Sequence, residues 1–314
     1  MPRPEVCVVG EINCDLILYG LPKELEPEKE TLAEGFRLTL GSSSAIFAHN
    51  LSALGTRTGI VSKVGSDPLG KFAMARLTDG GVDVSAVKQS AMDTPTGVTV
   101  ILAQPVQRYI LTYPGTMAEF RYEDIDRDYV FSARHLHVSS FFLQRALRPS
   151  VARLFREAKE KGLTTSFDTN DDPEGKWGSD LVDVLPFVDV FLPNEREAKA
   201  IARCDGLSQA AQKLAAMSRM VVIKLGPNGA VAREGEKNWR CPGICVDAVD
   251  SVGAGDTFNA GFIYKFLAGA SCEECLRFAN TAAAFSTTRE GGTEAFRDRA
   301  AMKQFFDKQL CAER

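Results

Sequence analysis

Between Val249 and Phe258 the chain reads VDSVGAGDTF, which places two glycines and one carboxylate within a few residues of each other. The β-branched run that ends at Val249 reads as a strand, and Phe258, Phe262 and Phe266 recur at the spacing of one helix face. Strand, glycine turn and helix therefore follow in succession. Gly253, Ala254 and Gly255 put backbone N–H groups at a helix start, and the two glycines have no Cβ to hold an anion away. Phosphate oxygens suit such a turn. Asp256 falls in the first helical turn, where the macrodipole favours its ionised form. An amide cradle beside a carboxylate base is the chemistry of phosphoryl transfer to a hydroxyl. A simple helix cap is the plainer account of Asp256.

Other spacings could also do chemistry. Asn13 and Asp15 follow the apolar run Val6–Gly10, and beyond the carboxyl end of a parallel strand they would bind hydroxyls. An Asx turn closing that strand is the rival account. Asn194 and Glu197, three apart at a helix start, share a face, and an amide plus a carboxylate suits hydrated Mg²⁺. A capping box fits the same two residues. His135 and His137 share a strand face, but no third ligand accompanies them, so a metal site is not expected there. Among eight cysteines, Cys272 and Cys275 have zinc-like spacing, yet they fall in a helical pattern and free thiols are expected. Lys224 ends a strand, where lysines are usually solvated.

The elements that must position these groups alternate. At 314 residues and 45% apolar content the chain can bury a substantial core, and a net charge of −4 recommends neither nucleic acid nor an anionic membrane. No apolar run reaches the length of a membrane span, and the charged start and cleavage site of a secretory signal are absent, so the cytoplasm is expected. From Gly41 onward strands and helices take turns, while residues 31–40 and 97–112 form extended pairs set apart, the second with a turn near Gln104-Pro105. This pattern predicts one α/β domain over residues 1–314, a doubly wound, mostly parallel sheet flanked by helices, with a small separate β-sheet.

The segment AVDSVGAGDTFNAGF resembles the C-terminal motif of the ribokinase-like (PfkB) family of sugar kinases, and further matches follow in order along almost the whole chain. The resemblance implies that Gly253, Ala254 and Gly255 form an anion hole and that Asp256 takes the proton from the attacking sugar hydroxyl. It implies that Asn13 and Asp15 sit at the sugar, under a small-sheet lid that often serves as a homodimer contact. Gly41 to Gly55 takes the place of the N-terminal sugar motif. There Gly41, Ser42 and Ser43 match by position, Ser42 to Ser44 replace Gly, Lys and Gly, and Ile46 replaces a sugar-contacting asparagine. The missing lysine disfavours a phosphorylated or acidic sugar. Phe141, Phe142 or Gln144 could line the sugar pocket.

On the nucleotide side the resemblance implies ATP and Mg²⁺, with Asn194 and Glu197 organising the magnesium waters, Gly226 and Gly229 beside the nucleotide and Lys224 near its phosphates. Asn280 and Ala283 would lie against adenine. Asp168-x-Asn170 resembles a motif whose usual arginine is here Asp172. Asp250 and Val252, with Arg289 and Gly291, would form the K⁺ site found in many of these kinases. The expected activity is ATP-dependent phosphorylation of a small carbohydrate. A nucleoside kinase of the same fold, favoured by a base-stacking aromatic near Phe47 or Phe141, and a catalytically weak nucleotide-binding regulator remain alternatives.

Overall fold

The computed structural model describes residues 3–104, 108–178 and 180–311, so most of the turn expected near Gln104-Pro105 lies outside the described residues. The strands follow in chain order as β1 (Val6–Val9), β2 (Asn13–Tyr19), β3 (Gly35–Leu40), β4 (Thr58–Val61), β5 (Lys63–Val64), β6 (Lys88–Gln89), β7 (Gly97–Ala103), β8 (Arg108–Tyr113), β9 (His135–Val138), β10 (Thr164–Phe167), β11 (Val190–Phe191), β12 (Met220–Lys224), β13 (Ala230–Glu234) and β14 (Lys237–Cys241). Among the described residues eight of these make one sheet in the order β14-β13-β12-β11-β10-β9-β1-β4. From β4 to β12 every pairing is parallel, and β13 and β14 add antiparallel strands at one edge.

A parallel sheet is covered on both faces, which is why runs such as Val6–Val9 and Met220–Ile223 are apolar without alternation. Their side chains divide by period two. Cys7, Val9, Val221 and Ile223 face one core with Leu154, Phe155, Ala198 and Leu214. Val6, Val8 and Val222 face the other, with Phe47, Phe258, Phe262 and Leu276. From β1 the chain crosses to β4 on one side and later to β9 on the other, so strand order reverses at β1. Ligands bind beyond the carboxyl ends at such a reversal. The segments that leave β1, β9, β10 and β11 carry Glu11, Ser140, Asp168 and Asn194 to that same end, where Lys224 closes β12.

A four-stranded sheet, β3-β2-β7-β8, forms separately. Its β3 is a single strand that begins at Gly35 rather than 31, and a fourth strand, β2, lies between β3 and β7. Asn13 and Asp15 are therefore the first residues of a lid strand, paired to β3 and β7, and not an Asx turn closing β1. Two apart on a strand, they share a face.

Local signals elsewhere hold. Asp67 caps the helix Pro68–Asp79 through Leu69 N and Gly70 N, with Pro68 in the first turn. Cys272 and Cys275 lie in the helix Cys272–Ser286, and no cysteine with a described side chain forms a disulfide. His135 and His137 are core residues that share Ser166 Oγ at 2.7 Å, and burial keeps both neutral. Among the described residues no helix is long and apolar enough to cross a membrane.

Candidate active site

The helix Ala254–Leu267 starts at Gly253, whose φ of 71° needs a residue without a Cβ. A Cβ there would also lie 2.7 Å from Gly292 Cα. Ile46, at the position where a sugar-binding asparagine was expected, is buried and packs against Gly253 and Gly292 instead. Asn50 completes the anchorage, its amide donating to Thr257 Oγ1 at 2.8 Å and Gly292 O at 2.9 Å. Ala254 N–H is spent on Ser251 O at 3.3 Å, whereas those of Gly253, Gly255 and Asp256 make no backbone hydrogen bond among the described residues. The turn thus keeps unpaired donors at a helix N-terminus.

Asp256 stands beside them. Burial, and then the nearby Asp168, push its carboxyl up to about 7 against the opposing pull of Lys224 and a hydrogen bond from Ser43. That value suits a base working near neutral pH. Lys224 is not a solvated strand end. Its side chain is 11% exposed, and Nζ lies 2.5 Å from Asp168 Oδ2 and 3.2 Å from Asn259 Oδ1, close to Gly255. Asn259 also donates to Asp168 Oδ2 at 2.5 Å. Asp168 is fully buried, so Lys224 supplies the charge that makes its burial tolerable.

The lid side faces Asp256 with acceptors. Asn13 Nδ2 donates to Thr99 Oγ1 at 2.9 Å, while its buried Oδ1 has no partner. Burial, then the charges of Asp256 and Asp250, push Asp15 up to about 7, with Arg108 opposing. Gly41 allows this approach, because a Cβ would collide with the carboxylate of Asp15 and the amide oxygen of Asn13. Ser42 does not reach toward a ligand. Its Oγ donates to Glu11 O at 2.8 Å and caps Ala45 N, and its φ of 65° explains why glycine is the usual residue there. Phe141 and Phe142 are buried in the core, whereas Gln144 is buried with its Nε2 on Ser139 O and its Oε1 without a partner.

Asn194 and Glu197 form the capping box in full. Asn194 Oδ1 accepts from Glu197 N at 2.9 Å, and Asn194 N and Nδ2 donate to the two Glu197 oxygens. Burial, then Asp168, raise the Glu197 carboxyl, so the two acids form a negative locus that Lys224 only partly offsets. Asp172 accepts from the backbone of Glu174, Lys176 and Trp177, and so shapes the loop after β10.

Asn280 donates to Pro242 O at 3.0 Å, which commits its amide to the loop after β14, with Ala283 half-buried one turn further along the helix. Gly226 and Gly229 flank the turn between β12 and β13. Asp250 accepts from Val252 N and Gly291 N, each at 2.9 Å, and from Tyr19 OH at 3.2 Å. Arg289 turns its side chain to Asp298. Glu11 was not anticipated; it is buried and bonded to Ser44.

The family model described as "pfkB family carbohydrate kinase" matches residues 3–299. The chain belongs to this family. The kinase is 30% identical over 292 residues to an ATP-dependent ribose-1-phosphate kinase of Halopiger xanaduensis, covering 92% of this chain and 94% of that one. It is 29% identical to a 2-dehydro-3-deoxygluconokinase of Bacillus subtilis, covering 90% of each. Its fold matches an Arabidopsis thaliana ribokinase complexed with ribose and ATP at a TM-score of 0.82 and 27% identity, covering 96% of this chain and 98% of that one. The ribokinase-like fold expected from the sequence is the fold of this kinase.

Proposed function

We propose that this kinase moves the γ-phosphoryl group of ATP to a hydroxyl of a small uncharged sugar. The observation that carries the proposal is Asp256, a carboxylate pushed up to about 7 at a helix N-terminus with unpaired N–H groups, near enough to Asp15 of the lid strand for its charge to raise that acid too. Asp256 would accept the acceptor's proton as its oxygen attacks. The N–H groups of Gly253, Gly255 and Asp256 would meet the negative charge spreading over the transferring phosphoryl. Asp15 and the unpartnered Asn13 Oδ1 would accept hydrogen bonds from sugar hydroxyls, which orients the attacking oxygen. Ser43, in place of a lysine, brings no cation to that end, which favours an uncharged acceptor.

Burial and the neighbouring Asp168 raise the Glu197 carboxyl, a cost that a divalent cation beside Asn194 and Glu197 would relieve. Mg²⁺ held there through water would neutralise the ATP phosphates. Gly226, Gly229, Asn280 and Ala283 would wall the nucleotide. Lys224 would act on the phosphates through its charge near Gly255, two of its three N–H donors being held by Asp168 and Asn259.

A nucleoside acceptor lacks its carrying feature: Phe47 is fully buried and stacks on His137 at 3.7 Å, and Phe141 is also fully buried. An ADP-release assay across pentoses, hexoses, keto-acid sugars and nucleosides decides. ADP release that no sugar stimulates above ATP hydrolysis would reject the proposal.

Three further proposals attach to this function. Asp250 joins the loops at 252 and 291 that would hold K⁺, and equal turnover in potassium and choline chloride would reject that site. The outer lid surface exposes Phe36, Leu111 and Tyr113, which would cover one another in a homodimer. A monomer mass by light scattering at micromolar concentration would reject it. An ATP-consuming sugar kinase would work in the cytoplasm, and fractionation of the source cells checks this.

A further inference from the structure

Three residues other than glycine with left-handed backbone lie around one buried acid. Ser42, Ser140 and Asn170 have φ of 65°, 53° and 51°, each in a region that costs a non-glycine residue on the order of 1 kcal/mol or more. Such strain persists where surrounding bonds over-determine the conformation. Here the bonds converge on Glu11, which is 2% exposed. Ser44 donates to it from Oγ at 2.7 Å and from N at 3.3 Å, and Ser44 Oγ also meets Ser139 Oγ at 2.7 Å. Ser140 adds a further hydrogen bond to the Glu11 carboxylate. Ser42 Oγ donates to Glu11 O. From there Asn170 Nδ2 binds Ser140 Oγ at 2.9 Å and also Ser43 Oγ, and Ser43 donates to Asp256.

We propose that Glu11 is a positioning residue for phosphoryl transfer: through Ser44, Ser140, Asn170 and Ser43 it holds the Asp256 carboxylate toward the acceptor. The proposal rests on the reading of Asp256 as base. It also accounts for the serines at 42–44. Ser44 is built to Glu11 so tightly that even a Cβ at Gly10 would strike its Oγ, and Ser43 spends its hydroxyl on the base rather than on a ligand. The charged groups around Asp256 are Glu11 from the end of β1, Asp15 from the lid, Asp168 beyond β10 and Lys224 from β12. Burial pushes the Glu11 carboxyl above the ordinary carboxylate range although Ser44 and Ser140 oppose this, and where Glu11 ionises it adds to the charges that raise Asp256, so Glu11→Gln takes one of three acids from that field.

Steady-state kinetics of Glu11→Gln and Ser43→Ala across pH 5–9, using the best acceptor of the panel, test this. Each variant is expected to lower kcat at least tenfold while leaving the ATP KM within about twofold. Glu11→Gln should also move the acid limb of the pH–rate profile to lower pH. The double variant should lose no more than the worse single variant, as members of one chain of contacts do. Melting temperatures taken alongside separate misfolding from misplacement. A well-folded Glu11→Gln enzyme with wild-type kcat and pH profile overturns the proposal, and so do fully additive losses. If Asp256→Asn itself keeps turnover, the base assignment falls instead, which is a distinguishable result.

Discussion

Lys224 Nζ sits 2.5 Å from Asp168 Oδ2, so a strand-end lysine and a strand-end aspartate, 56 residues apart in sequence, form one buried pair close to the turn at Gly255. Asp168 and Glu197 hold the Lys224 ammonium above its ordinary range although burial opposes its charge. Lys224→Met would leave Asp168 buried without its cation, and should destabilise the fold by about 3–5 kcal/mol. Adding Asp168→Asn should recover part of that loss. Urea unfolding of the wild type and the two variants measures both effects, and a loss below about 1 kcal/mol for Lys224→Met would show that the pair is not what makes Asp168 tolerable.

Asp256→Asn keeps the shape of the turn and removes the proposed proton acceptor. General-base contributions predict a fall in kcat of roughly 10²–10⁴-fold. ATP affinity, measured by calorimetry in the absence of acceptor, should change little, because the free N–H groups of the turn remain. Retained turnover would reject the base assignment.

The pH dependence carries opposite signs for rate and stability. Asp256 and Asp15 are both pushed up to about 7 in the folded kinase, chiefly by burial. Between the ordinary carboxylate range near 4 and about 7, the folded state therefore holds protons that the unfolded chain has released, and stability falls as pH rises through that window. The rate should rise over the same window as Asp256 becomes ionised. Asp256→Asn should accordingly raise the melting temperature at pH 8 and leave it nearly unchanged at pH 4. A melting temperature that the variant lowers at pH 8 would contradict the burial cost assigned to this group.

Gly41→Ala forces a Cβ against Asp15 and Asn13. With Asp15 displaced, the acceptor KM should rise on the order of tenfold or more while the ATP KM stays near wild type. Equal changes in both would mean that Gly41 serves the fold as a whole and not the acceptor side.

What could be read from residues alone was what neighbours in sequence decide. The cap at Asp67, the box of Asn194 and Glu197, and the turn and helix at Asp256 close their hydrogen bonds within about four residues, so type and spacing suffice. The strand expected to end at Val249 does not form, because Val249 N and Asp250 N donate to Thr287 O instead of to a neighbouring strand. The wound sheet was legible for a related reason, since doubly covered strands must be apolar throughout and their connections must be helical. Partnership across the sheet was not legible. Asn13 and Asp15 carry the polar character of a loop, yet pairing to β3 and β7 makes them a lid strand. The fate of Lys224 depended on an aspartate 56 residues away. That of Glu11 depended on serines 33 and about 130 residues away. Ile46 became packing under the turn at Gly253 for the same reason. A charged or polar side chain settles where topology delivers its complement, and only the folded chain brings five strand ends to one place.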